Sequence, residues 1–229
     1  MYIIHYMAKA PNNLRFAVLA VDTVLLAVRD NQLKVLLMKI QRPPHYSENY
    51  WGVPGGLIDP KETAEEAAIR HLWEKAGAKF AYLEQLYTFS GLDRDPRGRV
   101  VSVAYFALSP TIEAVRREGS GVAWYPVARL PRLAFDHKEI IETAVLRLQS
   151  KLEYTNIAFG LLPGEFTLGE LQKVYEIVLQ RRLDKRNFRK KLFVLKLLVS
   201  LKKKRRIGRS RPAELYKFAE HKQKVVRIL

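Results

Sequence analysis

Apolar and β-branched residues run almost unbroken from Phe16 to Val28, stop at Arg29-Asp30-Asn31, and resume from Leu33 to Ile40. Two such runs joined by a short polar turn predict a hairpin of two long strands, each with at least one buried face. Pro43-Pro44 breaks the pattern, and Trp51-Gly-Val-Pro-Gly-Gly56 reads as a loop. The period then lengthens. Thr63 is a fitting N-cap with Glu66 three residues on, and Ala67, Ala68, Leu72 and Ala76 recur at helical spacing. A helix is therefore predicted from about Thr63 to Lys75, stopped by Gly77. Stretches 82–89, 100–108 and 122–126 predict further strands. Residues 138–151 predict an amphipathic helix with Ile140, Ile141, Ala144, Val145 and Leu148 on one side.

The pattern changes after Glu153. Leu171, Val174, Tyr175 and Val178 predict a helix over 169–179, and a short basic link leads to Asp184, a good N-cap. The helix that follows is expected over 185–198. Phe188, Leu192 and Leu195 face inward there, while Lys185, Arg186, Asn187, Arg189 and Lys190 face largely outward. Lys202–Arg206, with Gly208 and Pro212, predicts a flexible basic hairpin that returns through a strand-like run at 213–218. Helix, short turn, basic helix and basic hairpin is the order of a winged helix-turn-helix. The expected fold is α+β: an α/β/α sandwich with a mixed sheet over residues 1–153, then a winged helix-turn-helix over 154–229.

Charge sharpens this division. The chain carries a net charge of +17, but residues 1–150 hold 19 Lys/Arg against 16 Asp/Glu, and residues 151–229 hold 21 against 7. So steep an excess in the last third points to a polyanionic partner, double-stranded DNA above all. There is no cysteine, which excludes disulfides, thiolate nucleophiles and cysteine-ligated zinc, and suits a cytoplasmic location. No apolar run approaches the ~18 residues needed to cross a bilayer, and no signal-peptide pattern opens the chain, so no membrane partner is expected.

One segment carries a chemical pattern: Gly56-x5-Glu62-x7-Arg70-His71-Leu72-Trp73-Glu74-Lys75-Ala76-Gly77-Ala78. It resembles the Nudix box, Gx5Ex7REUxEExGU, where U is apolar. The resemblance implies a loop-helix-loop whose helical glutamates bind a divalent metal in the hydrolases of that family. Here the three metal-binding positions read His71, Glu74 and Lys75, so one carboxylate remains and a cation stands beside it. A site of this composition is expected to bind without hydrolysing, with no catalytic residue, no metal and no required cofactor. In the alternative reading Glu65, Glu66, Asp93 or Asp95 replace the lost ligands. The chain is then an ADP-ribose pyrophosphatase with a basic nucleic-acid-binding tail.

The likeness extends beyond the box. Asp93-Arg-Asp-Pro-Arg-Gly-Arg99 through Tyr105, Trp124–Val127, Leu133–His137, Phe166-Thr-Leu168, Leu183–Arg189 and Arg211–Tyr216 resemble the Nudix-related transcriptional regulators. That resemblance implies a repressor whose sensor domain binds ADP-ribose or a related nucleotide or sugar metabolite, and genes of NAD metabolism or sugar use. It also implies a homodimer on a two-fold operator. The expected ligand contacts are Gly55, Gly56, Arg70 and Glu74, from the box, with Arg42, Arg97 and Arg99 from charge near loops. The expected DNA contacts are Lys185, Arg186, Asn187, Arg189 and Lys190 on the helix, with Lys203, Lys204, Arg205, Arg206, Arg209 and Arg211 on the wing. Arginine and asparagine suit guanine and adenine edges, and the wing lysines suit phosphates. A third reading keeps the nucleotide site and has no operator.

Overall fold

Strand β1 (Val18–Arg29) turns into β2 (Gln32–Ile40) through Asp30 and Asn31, both at positive φ (50° and 60°). This is the two-residue hairpin geometry that Asp and Asn tolerate best after glycine. The computed structural model describes residues 17–40, 50–111, 121–206, 211–226 and 228. In it β1 also runs parallel to β6 (Val100–Leu108), which pairs antiparallel with β5 (Tyr82–Phe89). Short strands β3 (Tyr50–Gly52) and β4 (Gly55–Leu57) pair with β2 and β1, and β7 (Val122–Pro126) pairs with β2. The result is a mixed seven-stranded sheet in the order β3-β2-β1-β6-β5, with β4 and β7 off that path. The glycine-rich stretch expected as a loop is thus two strands, too short to carry a period of their own.

The near-continuous apolar character of β1 and β2 has a simple cause: both faces of the sheet are covered. Successive residues point to opposite sides. Val21 and Leu25 meet α1 (Ala64–Ala76) through Ala67, Ala68 and Leu72. Val24 and Leu26 meet α2 (His137–Tyr154) through Ile140, Ala144 and Leu148. Helix α1 begins and ends on sequence signals. Thr63 and Glu66 form a complete capping box, and Gly77, at φ 58°, donates its N–H to the Trp73 carbonyl at 2.8 Å.

The C-terminal part holds β8 (Phe166–Thr167), α3 (Leu168–Leu179), α4 (Lys185–Val194), β9 (Leu198–Arg205) and β10 (Ala213–Phe218), with strand order β8-β10-β9. This is a winged helix. Helix α4 ends four residues before the expected limit. Leu195 and Leu197 both pack into the core, and two positions apart on a helix they would face opposite ways. The chain therefore leaves the helix between them, with Lys196 at φ 52°. As a consequence Lys202–Arg205 lie in strand β9, not in a flexible hairpin loop as expected. Gly208 and Arg209 fall outside the described residues.

The two parts share one hydrophobic cluster, from Val24 in β1 through α2 to Tyr175, Phe188, Phe218 and Ile228. The last residues return to fasten the junction. Lys224 N–H donates to Asn156 Oδ1 (2.7 Å), Val226 N–H to the Tyr154 carbonyl (2.8 Å), and Ile228 N–H to the Glu153 carbonyl (2.9 Å). Beside them the buried Lys151 ammonium binds the Glu84 carboxylate and Gln223. Among the described residues no helix is long and apolar enough to cross a membrane. Because the core is continuous, calorimetry should show a single unfolding transition with equal calorimetric and van't Hoff enthalpies. Two resolved transitions would mean that the junction does not couple the two parts.

Candidate functional site

A cavity of about 330 Å³ opens between β1, β2, β4, the end of α1 and the start of α2. At its floor lies Asp22, a carboxylate in the middle of an apolar strand. A buried charge must be paired or it costs several kcal/mol, and three elements supply partners. Arg94, from the loop after β5, donates to Asp22 Oδ2 at 3.1 Å and makes two further bonds to Asp136 at 2.7 and 2.8 Å. Ser102 of β6 donates its hydroxyl at 2.6 Å. His137, at the first turn of α2, approaches Asp22 Oδ1 at 3.3 Å through Nε2. Its Nδ1 accepts the Val53 N–H at 3.2 Å, so Nε2 carries the proton and donates it to Asp22. Burial alone would raise the Asp22 carboxyl. His137, Ser102 and Arg94 outweigh it and hold the group well below its ordinary range.

The Nudix-box residues divide between scaffold and cavity. Gly55 and Gly56 line the cavity, as expected. A Cβ at Gly55 would stand 2.5 Å from Asp22 Oδ1, and one at Gly56 the same distance from the His71 ring, so both positions need glycine for close approach. Arg70 and Glu74, expected at the ligand, are not among the residues lining the cavity. Arg70 donates to Glu62 (Nε to Oε2, 2.9 Å) and to the Leu57 carbonyl (3.3 Å), and pairs with Glu74 at 3.4 Å, clasping the loop to the helix. Those bonds, with the Asp59 N–H, lower the Glu62 carboxyl to about 2. Arg99 is likewise absent from the lining and bonds the Ser90 and Gly91 carbonyls. Arg97 does line it, bound to Asp95 at 2.6 Å and lying 5.3 Å from the centre of the Phe135 ring. Phe135 itself sits at φ 55°, an unusual conformation for a bulky residue and a mark of a constrained site. Arg42 falls outside the described residues.

The three positions that would hold a metal in a Nudix hydrolase do not fit one. His71 is buried beneath Gly56 with Nε2 3.0 Å from the Leu57 carbonyl, and Glu74 is turned to Arg70. Lys75 lines the cavity and donates from Nζ to the Gly55 carbonyl. Partial burial lowers its pKa below the usual lysine value. Among the described residues no three His, Asp or Glu side chains gather as a metal site. Asp22 was not singled out from sequence, and Arg94, Phe135, Asp136 and His137 stood only inside stretches that carry the family resemblance, with no role in the site assigned to them. The available signal was Asp22 itself, one carboxylate inside a strand apolar on both faces.

On the winged helix, α4 is capped by Asp184, which accepts the Asn187 N–H at 2.7 Å. Lys185, Arg186, Asn187 and Lys190 are exposed along it, whereas Arg189 is half-buried with its Nε covered. On β9, Lys203 pairs with Glu165 at 3.3 Å, and Arg205 bonds Glu170, the carboxylate that also caps α3. Lys204, Arg206 and Arg211 are exposed. Exposed pairs of this kind are worth about 0–1 kcal/mol, so an incoming phosphate competes with them readily.

Arg94→Met should destabilise the chain by about 3–5 kcal/mol in urea unfolding, because Asp22 and Asp136 would keep their burial and lose their partner. A loss below about 1 kcal/mol would show the cluster to be dispensable. Depressed carboxylates also set a pH window. The stability contributed by Asp22 and Glu62 is complete above their ordinary values of 3.8 and 4.5; the Glu62 part should be lost as pH falls through about 2, and the Asp22 part only at still lower pH.

Both halves have known counterparts. Residues 19–144 match the NUDIX domain family, and residues 158–218 match the NrtR DNA-binding winged helix domain. The ADPR responsive transcriptional repressor of Acinetobacter baylyi is 36% identical over 208 residues, which cover 88% of this chain and 82% of the relative. Shewanella oneidensis NrtR, solved in complex with a 27mer DNA, superposes with a TM-score of 0.78 at 40% identity, over 87% of this chain and 93% of that one. The NUDIX domain of the same Shewanella protein, solved with ADP ribose, is 40% identical with a TM-score of 0.52, covering 61% of this chain and 94% of that domain. A Nudix-type sheet and a winged helix of the NrtR type, joined in one chain and alike along nearly its whole length, make this protein a member of the NrtR family of Nudix-related transcriptional regulators.

Proposed function

We propose that the protein is a repressor that binds double-stranded DNA through residues 154–229 and releases it when residues 1–153 bind ADP-ribose or a close relative. One observation carries the reading: a cavity lined by glycine, lysine and arginine shares a single hydrophobic core with a strongly basic winged helix. The glycine strand admits a diphosphate at close range, and Phe135 offers a ring on which a base or ribose can rest. The box positions lack a metal-binding carboxylate set, so the site binds its nucleotide without hydrolysing it and needs no cofactor. Arg186, Asn187 and Arg189 are assigned to base edges, and Lys185, Lys190, Lys203, Lys204, Arg205, Arg206, Arg209 and Arg211 to backbone phosphates. A cytoplasmic homodimer, presenting two α4 helices to a two-fold operator, completes the reading. It is supported by the names of the relatives, one an ADPR-responsive repressor and one solved on DNA.

Gel-shift with the DNA upstream of the chain's own operon tests it. ADP-ribose should weaken binding at least about fivefold, the low end of ordinary coupling between sites. An unchanged shift would remove ADP-ribose as effector, and turnover of ADP-ribose with Mg²⁺ near 1 s⁻¹ or above would restore the pyrophosphatase reading.

The division of labour is separately testable. Arg186→Ala should cost about 1–3 kcal/mol on the operator and relax sequence preference. Lys204→Ala should weaken operator and random DNA alike and lower the salt slope by about one. Equal effects of both changes on both DNAs would deny α4 its role as the reading helix.

A further inference from the structure

The cations lining the cavity are not equivalent. Arg94 is committed to Asp22 and Asp136, and Arg97 to Asp95. Lys75 and Lys39 have no carboxylate partner among the described residues. Lys39 stands near the end of strand β2, between β1 and β3 in the sheet, with its side chain exposed. Lys75 stands on the last turn of α1, and its ammonium reaches across to the Gly55 carbonyl of β4, within the cavity wall. It occupies a metal-binding position of the box, one residue after Glu74, which is turned away to Arg70. The charged groups that face it are Asp22 from β1 below, with Arg70 and Glu74 on its own helix.

We infer that the Lys75 ammonium takes the place of the divalent metal of a Nudix box: it neutralises the diphosphate of the bound nucleotide, so that effector binding is independent of metal. The inference rests on the reading of the cavity as a diphosphate site. Its chemistry explains why that site binds and does not cut. A metal ion neutralises phosphate charge and also holds a water whose proton it makes acidic. An ammonium does the first through its three N–H donors and has no open coordination position for the second. A lysine at this position therefore keeps the charge that holds the ligand and supplies no metal-bound water as nucleophile.

Calorimetric titration of the full chain with ADP-ribose, in excess EDTA and in Mg²⁺, tests this. The native chain should bind with the same Kd, within about twofold, in both conditions. Lys75→Met should lose at least about tenfold in both, and Lys75→Arg should retain metal-independent binding. Lys75→Glu, which returns a carboxylate to the position, should lose at least about tenfold in EDTA and recover part of it in Mg²⁺. Urea unfolding of each variant separates loss of binding from loss of fold. A native chain that binds only with Mg²⁺ overturns the inference and leaves the cavity's reading intact. A folded Lys75→Met that binds as well as the native chain also overturns it. A native chain that binds ADP-ribose in neither condition brings down both.

Discussion

A carboxylate placed inside a strand that is covered on both faces is the constraint on which the sensor half of the molecule depends. Asp22 cannot stay charged there without partners, and the partners come from everywhere: the loop after β5, strand β6 and the first turn of α2. Satisfying it fixes where these elements end. Beside it β4 pairs with β1, so closely that Gly55 has no room for a side chain. The cavity is the space left above this cluster, and its walls are positioned by bonds that no ligand has to supply.

The same economy sorts the charges around the cavity into two groups. Some are consumed by the scaffold. Arg94 holds the buried acids, Arg70 holds the loop of the box to its helix, and Arg99 holds two loop carbonyls. Others remain for a visitor, chiefly the lysines. On the winged helix a parallel sorting occurs, with Arg205 bound to the carboxylate that caps α3 and the exposed cations of α4 left outward. Counting basic residues identifies a polyanion-binding domain; only their partners show which of them are at liberty.

This explains where sequence reasoning succeeded and where it stopped. The β1–β2 turn and both ends of α1 could be read because their causes are local: Asp30-Asn31, the Thr63–Glu66 box, Gly77. Strands β3 and β4 could not, since three residues carry no period. The end of α4 was misplaced because only the buried positions of Leu195 and Leu197 decide it. The Nudix spacing found Gly55, Gly56 and Lys75, which do line the cavity, but it also led to Arg70 and Glu74, which serve the scaffold. Asp22 and Arg94 stand 72 positions apart, and no local pattern links them. An acid in an apolar run announces that it needs a partner without saying which.

Helix α2 has a consequence for how the molecule can move. Its first residue, His137, is part of the cavity wall, and its last turns, through Lys151, Glu153 and Tyr154, hold the segment that fastens the winged helix. Eighteen residues make it a rod about 27 Å long, packed along the sheet by side chains at every turn. A rod so anchored transmits displacement as a lever does. A tilt of about 5° at the His137 end carries the far end about 2 Å, the scale of the helix shifts by which switching proteins change state. One stiff helix thus runs from the cavity wall at His137 to the junction where the winged helix is fastened.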